Sequence, residues 1–267
     1  MGATEDGARG RAARPGGTGS ISPDPPRRER PAFYALAPGG WRDYVTLLHS
    51  PYTAWHVSYV VIGGCLAPHV PAGRLAFTAL AFFLALGIGA HALDELNGRP
   101  LQTRIPTGVL VALAASSLGA ACAIGIAVAF AHNLWLLLFV AFGAFIVCAY
   151  NLELFGGRFH NGFWLATAWG AFPIVTAYFA AADRITGEAV LAALFGALLI
   201  RAQQTLSTPV RDVRRRTISI AGTIERIDGT RVPIEAKTLT GPAETALRFM
   251  AAASIALAAA LLVLRFG

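Results

Sequence analysis

The chain has 267 residues, 55% apolar and only 14% charged, with a formal net charge of +7. Soluble domains usually carry about 25% charged residues, so this composition excludes a soluble enzyme and a small disulfide scaffold. The basic residues are interleaved with apolar runs instead of forming one continuous face, which argues against nucleic acid and for a polytopic membrane protein.

Residues 1–46 are rich in Arg, Gly and Pro and hold no apolar core before Tyr44. They are expected to form a disordered, basic, cytoplasmic tail and not a cleaved signal. Residues 47–267 are expected to form the membrane domain. Seven stretches there approach the ~20 residues a spanning helix needs: 47–67, 73–93, 107–131, 133–150, 161–182, 188–208 and 244–266. The expected fold is therefore an all-α bundle of about seven transmembrane helices. If the N-terminus is inside, nineteen of the twenty-two basic residues fall on the cytoplasmic side, leaving Arg74, Arg184 and Arg265 outside. The positive-inside rule then predicts a multi-pass protein of the cell membrane, with its N-terminus cytoplasmic and its C-terminus on the outer side. Cys65, Cys122 and Cys148 lie inside apolar runs without metal or redox spacing, as small buried hydrophobes do.

The first span is unusually polar, with His49, Tyr52, His56 and Tyr59 among its residues; either a cavity-lining face or helix-to-helix hydrogen bonding accounts for this better than lipid exposure. The second span ends in His91, Asp94 and Glu95, which share one helical face, followed by Arg99 and Arg104. After the fourth span come Tyr150, Asn151, Glu153, Arg158, His160 and Asn161. The sixth ends in Arg201, Gln203, Gln204 and Ser207. Pro209 is expected to break that helix, and Arg211 and Asp212 follow before an Arg214–Arg216 run read as a topology anchor. Residues 217–236 alternate as a strand does and carry an Asp228-Gly229 turn signal, predicting a small cytoplasmic hairpin, either a structured link or a lid.

Carboxylates, amides and guanidiniums thus gather at the inner ends of the spans, above an aromatic interior. An anionic head on a greasy tail needs such a place: arginine forks bind phosphate oxygens, carboxylates can hold a Mg²⁺ that bridges to diphosphate, and Trp55, His56, Tyr59, His91, Tyr150 and Trp169 can wall a prenyl chain.

At these clusters the sequence resembles the UbiA superfamily of intramembrane prenyltransferases, over roughly residues 47–266. HSPYT (49–53) is similar to the family's start of the first span, and ALDELNGRPLQTR (92–104) to a shortened first aspartate-rich motif. AYNLELFGGR (149–158) and WGAFPIVTAYFAA (169–181) resemble the following link and span, and STPVRDVRR (207–215) occupies the place of the second motif. The family's first motif is Asn-x-x-x-Asp-x-x-x-Asp. Neither register around Asp94 or Glu95 supplies its last carboxylate, and Asp212 stands alone in the second. The resemblance implies a prenyl diphosphate as substrate, an acceptor, and Mg²⁺ held by Asp94, Glu95 and Asp212 as the catalytic carboxylates. It also implies that Arg99, Arg104, Asn151, Arg158, Arg201, Gln204 and Arg211 face the diphosphate. A transferase, a terpene cyclase on the same fold and a non-catalytic isoprenoid- or lipid-binding protein all follow from this pattern, with the transferase as the family's commoner activity.

Overall fold

A computed structural model describes residues 30–267; residues 1–29 of the expected tail lie outside the described residues. A short helix α1 (Trp41–Leu47) leads into α2 (Ser50–Leu66). The bundle continues with α3 (Ala72–Leu96), α4 (Thr107–Ala131), α5 (Leu136–Asn151), α6 (Gly162–Ala182), α7 (Gly187–Arg216) and, after a two-stranded hairpin, α8 (Ala236–Phe266). Connections alternate between the two ends, so α2 to α8 run up and down in turn.

Five of these helices, α3, α4, α6, α7 and α8, are long and apolar enough to cross a membrane, and the chain is read as a multi-pass membrane protein. The other two expected spans are different. α5 is apolar but has 16 residues, and α2 has 17. At 1.5 Å per residue these cover only about 24–26 Å. The polarity of α2 has a structural cause: it is enclosed by the bundle, packed chiefly on α6 and α8, and most of its side chains are buried or half-buried against protein.

Close crossings depend on glycine. A Cβ on Gly63 of α2 would lie 2.2 Å from the Ile174 carbonyl oxygen of α6. Gly170 of α6 and Gly196 of α7 face each other almost as closely, a Cβ on either lying 2.5 or 2.6 Å from the other's carbonyl oxygen. At the end where α2 finishes, the Arg265 guanidinium donates to the Cys65 and Ala67 carbonyls at 2.8 and 3.1 Å, and Arg74 donates to Ala180 O at 2.7 Å. These cations satisfy carbonyls left open by helix C-termini.

Three expectations are corrected. Pro209 does not end α7: the helix runs through it and closes in a π-helical stretch, Asp212–Arg216. The final helix starts eight residues earlier than expected, behind a capping box between Glu235 and Thr238. Residues 30–46 are ordered: Leu36 N donates to Thr46 Oγ1 at 3.0 Å, Gly39 N to Asp43 Oδ1 at 2.8 Å, and Arg104 N to Asp43 Oδ2 at 2.9 Å. The α1 end is thereby tied to the link after α3.

The hairpin pairs β1 (Thr223–Glu225) antiparallel with β2 (Arg231–Pro233), Ile224 opposite Val232. Thr230 donates through its N–H and hydroxyl to Asp228 Oδ1 at 2.9 and 2.7 Å, which holds the Asp228 carboxyl below its ordinary pKa. That contribution is present above the unfolded carboxyl's pKa and lost as pH falls through the lower folded value. Both strands are largely exposed and line neither cavity described below, which fits a structured link and not a lid. Replacing Asp228 by alanine is accordingly expected to leave ligand binding at the cavity unchanged in a titration that resolves two-fold differences.

Candidate functional site

The links after α3 and α5 and the final turns of α7 meet the N-terminal strap (residues 30–36) at one end of the bundle, around a cavity of about 360 Å³. α2 contributes Tyr52 and His56, with His49 just before it, and α3 contributes His91 and Asp94. α5 and its link supply Tyr150, Asn151 and His160, and α6 supplies Trp169. From α7 come Gln203, Gln204, Ser207, Arg211 and Arg215. Ser207, Arg211 and Arg215 succeed one another at i+4 spacing from Gln203, so they form one stripe down the helix. In α3 and α6, π-helical stretches (Phe83–Ala90 and Ala166–Ala171) run directly into the residues that line the cavity. Such widened turns are frequent at functional sites.

The strap forms one wall. Pro31, Ala32, Phe33 and Tyr34 line the cavity. Arg215 Nε donates to Pro31 O at 3.1 Å and Arg214 to Arg30 O at 3.3 Å, while the Arg248 guanidinium sits 4.7 Å from the Phe33 ring centroid. Tyr34 meets the rings of His49 and Tyr52 edge-on, at 5.2 and 5.6 Å. Burial pushes its phenol pKa upward, so it faces the cavity as a neutral group.

The charges in this cavity are left unpaired with one another. The Asp94 carboxylate makes no hydrogen bond or ion pair among the described residues, although Arg215, Glu95, His160 and Arg211 all lie within electrostatic range. Among the described residues Arg211 donates to Ser207 Oγ at 2.7 Å and Thr208 Oγ1 at 3.0 Å, and Arg215 only to Pro31 O. Each guanidinium has five N–H donors, so most of theirs are unspent. The His49 and His91 rings touch, with centroids 3.9 Å apart. His91 Nδ1 is 3.1 Å from Gly87 O, while the buried His49 Nε2 has no hydrogen-bond partner among the described residues. Tyr150 packs on Trp169 at 4.6 Å and on His160 at 4.4 Å.

An apolar cavity of about 100 Å³ lies next to this one, lined by Phe82, Leu86, Leu118, Val147, Ala168 and Phe172 among others. The two are one helical turn apart on α3 (Leu86 against Ala90) and α5 (Val147 against Asn151), and adjacent on α6 (Ala168 and Trp169). A polar chamber and a greasy one are thus placed in series.

Of the residues expected at the site, Asp94, His56, His91, Tyr150, Asn151, Trp169, Gln204 and Arg211 do line the polar chamber. The others do not, for visible reasons. Glu95 is fully buried and accepts from Leu101 N (3.0 Å), Thr103 N (2.8 Å) and Thr103 Oγ1 (2.8 Å), so it organises the link. Arg99 staples the same link through Thr103 O, Ile105 O and Thr107 Oγ1. Arg104 and Arg158 are exposed away from the walls. Arg201 is also exposed and donates to Gln204 Oε1 at 2.7 Å. Asp212 turns outward to Arg216 at 3.1 Å. Trp55 and Tyr59 are fully buried in the α2–α6–α8 core, where the indole N–H donates to the phenol oxygen at 2.7 Å, so neither polar group points into the chamber.

This donor set does not fit a diphosphate-bridging Mg²⁺. One of the three expected carboxylates reaches the chamber; the second has its oxygens engaged by the link and the third is paired outside. No group of three or more His, Cys, Asp or Glu is placed to hold a metal ion among the described residues.

Tyr34 and Arg215 were not assigned to the site from sequence; His49 and Tyr52 were expected on a cavity-lining face of the first span and Gln203 in the polar cluster that ends the sixth, without a ligand role. The i+4 stripe on α7 was the available signal for Arg215, since it separates that residue from its neighbours Arg214 and Arg216. Compared with family models, curated proteins and solved structures, the chain matches none.

Proposed function

We propose that the protein is a UbiA-like membrane prenyltransferase, which takes the head of a prenyl diphosphate into the polar chamber and its tail into the adjoining apolar cavity. The reading includes α2 and α5 as membrane passes, giving seven, with the chamber on the cytoplasmic side and the C-terminus outside, as the distribution of basic residues favours. The observation that carries it is the meeting of Asp94, from the place of the first motif, with Arg211 and Arg215, from the place of the second, at a single cavity.

In this reading the C–O bond to the diphosphate breaks with its electron pair leaving on the diphosphate oxygen, and the two guanidiniums stabilise that charge. Tyr150 and Trp169 present aromatic faces to the allylic cation. The acceptor then forms a bond to the allylic carbon, and its proton passes to the Asp94 carboxylate. The test is pyrophosphate release by purified protein in lipid nanodiscs, given farnesyl diphosphate and a panel of phenols, quinols and polar lipids. Release that falls at least a hundred-fold in Asp94→Asn supports the transferase. No release above the Arg211→Gln background with any acceptor overturns it.

A second reading, a non-catalytic isoprenoid or lipid holder, is favoured by the engagement of Glu95 and Asp212 elsewhere. It expects farnesyl diphosphate to bind and to be recovered intact.

A further inference from the structure

We infer that the diphosphate is held by Arg211 and Arg215 directly, with no divalent ion, and that Asp94 faces the bound anion as an uncompensated like charge. This rests on the proposed binding of a prenyl diphosphate at the chamber and goes beyond it in naming how the anion is neutralised.

The argument is one of donors and charge. A metal bridging a diphosphate needs several carboxylate oxygens on one side of it, and the chamber wall offers Asp94 alone. Glu95 cannot turn inward without leaving Leu101 N and Thr103 N buried and unbonded. Asp212 lies on the exposed side of α7, paired with Arg216. The cationic side is the better furnished. Arg211 and Arg215 are one turn apart on the same face of α7. Ser207 Oγ and Thr208 Oγ1 orient the first and the Pro31 carbonyl the second. Two forks at this spacing can each engage one phosphoryl group of a diphosphate. Gln203, Gln204 and the unpartnered His49 Nε2 add further hydrogen-bonding groups to the same chamber.

The sign of one substitution separates the two modes. If Asp94 held a metal, removing its charge would weaken binding of the diphosphate. With no metal, the same substitution removes a repulsion and tightens binding. Screened between water and protein, the repulsion removed with the Asp94 charge is taken as about the 1.4 kcal/mol that corresponds to ten-fold in affinity, so the expected gain is roughly ten-fold or less.

The experiment is equilibrium binding of farnesyl diphosphate to the full chain in nanodiscs, with EDTA and with excess Mg²⁺, and with inorganic pyrophosphate and phosphatidic acid as competitors. The inference expects equal affinity in EDTA and Mg²⁺, three- to ten-fold tighter binding by Asp94→Asn (about the gain just argued) and at least a ten-fold loss in both Arg211→Gln and Arg215→Gln, with pyrophosphate competing and phosphatidic acid not. The wild-type EDTA comparison stands whether or not a variant folds. Binding that requires Mg²⁺, or that weakens in Asp94→Asn, overturns the inference and leaves the proposed function standing. Absence of farnesyl diphosphate binding under both conditions removes the proposed function itself. Competition by phosphatidic acid as strong as by unlabelled farnesyl diphosphate reassigns the cradle to a phosphomonoester lipid and overturns the diphosphate assignment.

Discussion

Replacing Glu95 by alanine is expected to destabilise the protein by roughly 4 kcal/mol or more, read as denaturant or thermal unfolding in detergent. The side chain is fully buried and takes three hydrogen bonds, two from backbone N–H groups of the link between α3 and α4. Hydrogen bonds to a charged acceptor contribute about 1.5–3 kcal/mol each, and a buried donor left without a partner costs about 1–3 kcal/mol. Domains are stable by only about 5–15 kcal/mol, so this one change removes a large share. Glu95→Gln keeps one acceptor oxygen but turns an amide N–H toward a backbone N–H, and is expected to cost about half as much. The pair also tests what Glu95 is for. If it ligated a catalytic metal, Glu95→Gln would abolish turnover at unchanged stability. As the anchor of a link that carries Pro100 onto the chamber wall, it should lose stability first, with binding at the chamber weakened in proportion to the unfolded fraction.

Glu95 also shows where a sequence stops being readable. Apolar run length locates the helices well: α4 was expected at 107–131 and lies at Thr107–Ala131, and α6 at 161–182 lies at Gly162–Ala182. Helical spacing also places His91 and Asp94 on a common face, and both reach the chamber. The same spacing puts Glu95 beside them, yet one residue on a helix is a rotation of about 100°, and that rotation carries its carboxylate from the cavity to the backbone of residues 101 and 103. Backbone N–H groups have no side-chain identity to betray them, so a carboxylate whose partners are peptide groups looks in sequence like one awaiting a metal. The strap was hidden differently. Pro31 to Ala35 is an apolar island inside an Arg-, Gly- and Pro-rich tail, and the composition of the whole tail masks the five residues that meet the chamber or the core.

α2 is shorter and less apolar than the five long helices for the reason that makes it important. A helix enclosed by others need not be greasy on every side, and its polar residues mark what it encloses: Tyr52 and His56 face the chamber, whereas Trp55 and Tyr59 satisfy each other in the core. The same enclosure makes its crossing with α6 the tightest in the bundle, and the second large effect is expected there. Replacing Gly63 by alanine would put a methyl group 2.2 Å from Ile174 O and 2.7 Å from Ile174 Cα. Those are backbone atoms and cannot swing aside as a side-chain end can, so α2 and α6 must separate. Overpacking of this kind costs about 1–3 kcal/mol and occasionally more, and a clash with backbone belongs at the upper end. Within lipid, association is driven largely by the close packing that the methyl group would destroy. Gly119 in α4 provides the control: a Cβ there meets nothing within 4 Å. Gly119→Ala should therefore gain the helix-propensity difference of about 1 kcal/mol. Measured side by side in detergent, the two Gly→Ala changes are expected to move the unfolding midpoint in opposite directions. Under the proposed binding of a prenyl diphosphate, the Gly63 variant should also bind farnesyl diphosphate at least ten-fold more weakly, because α6 carries Trp169 and α2 carries Tyr52 and His56 onto the walls of the chamber. A Gly63→Ala protein as stable as its parent would mean that the α2–α6 contact is looser than described, and the chamber between these helices would lose its shape with it.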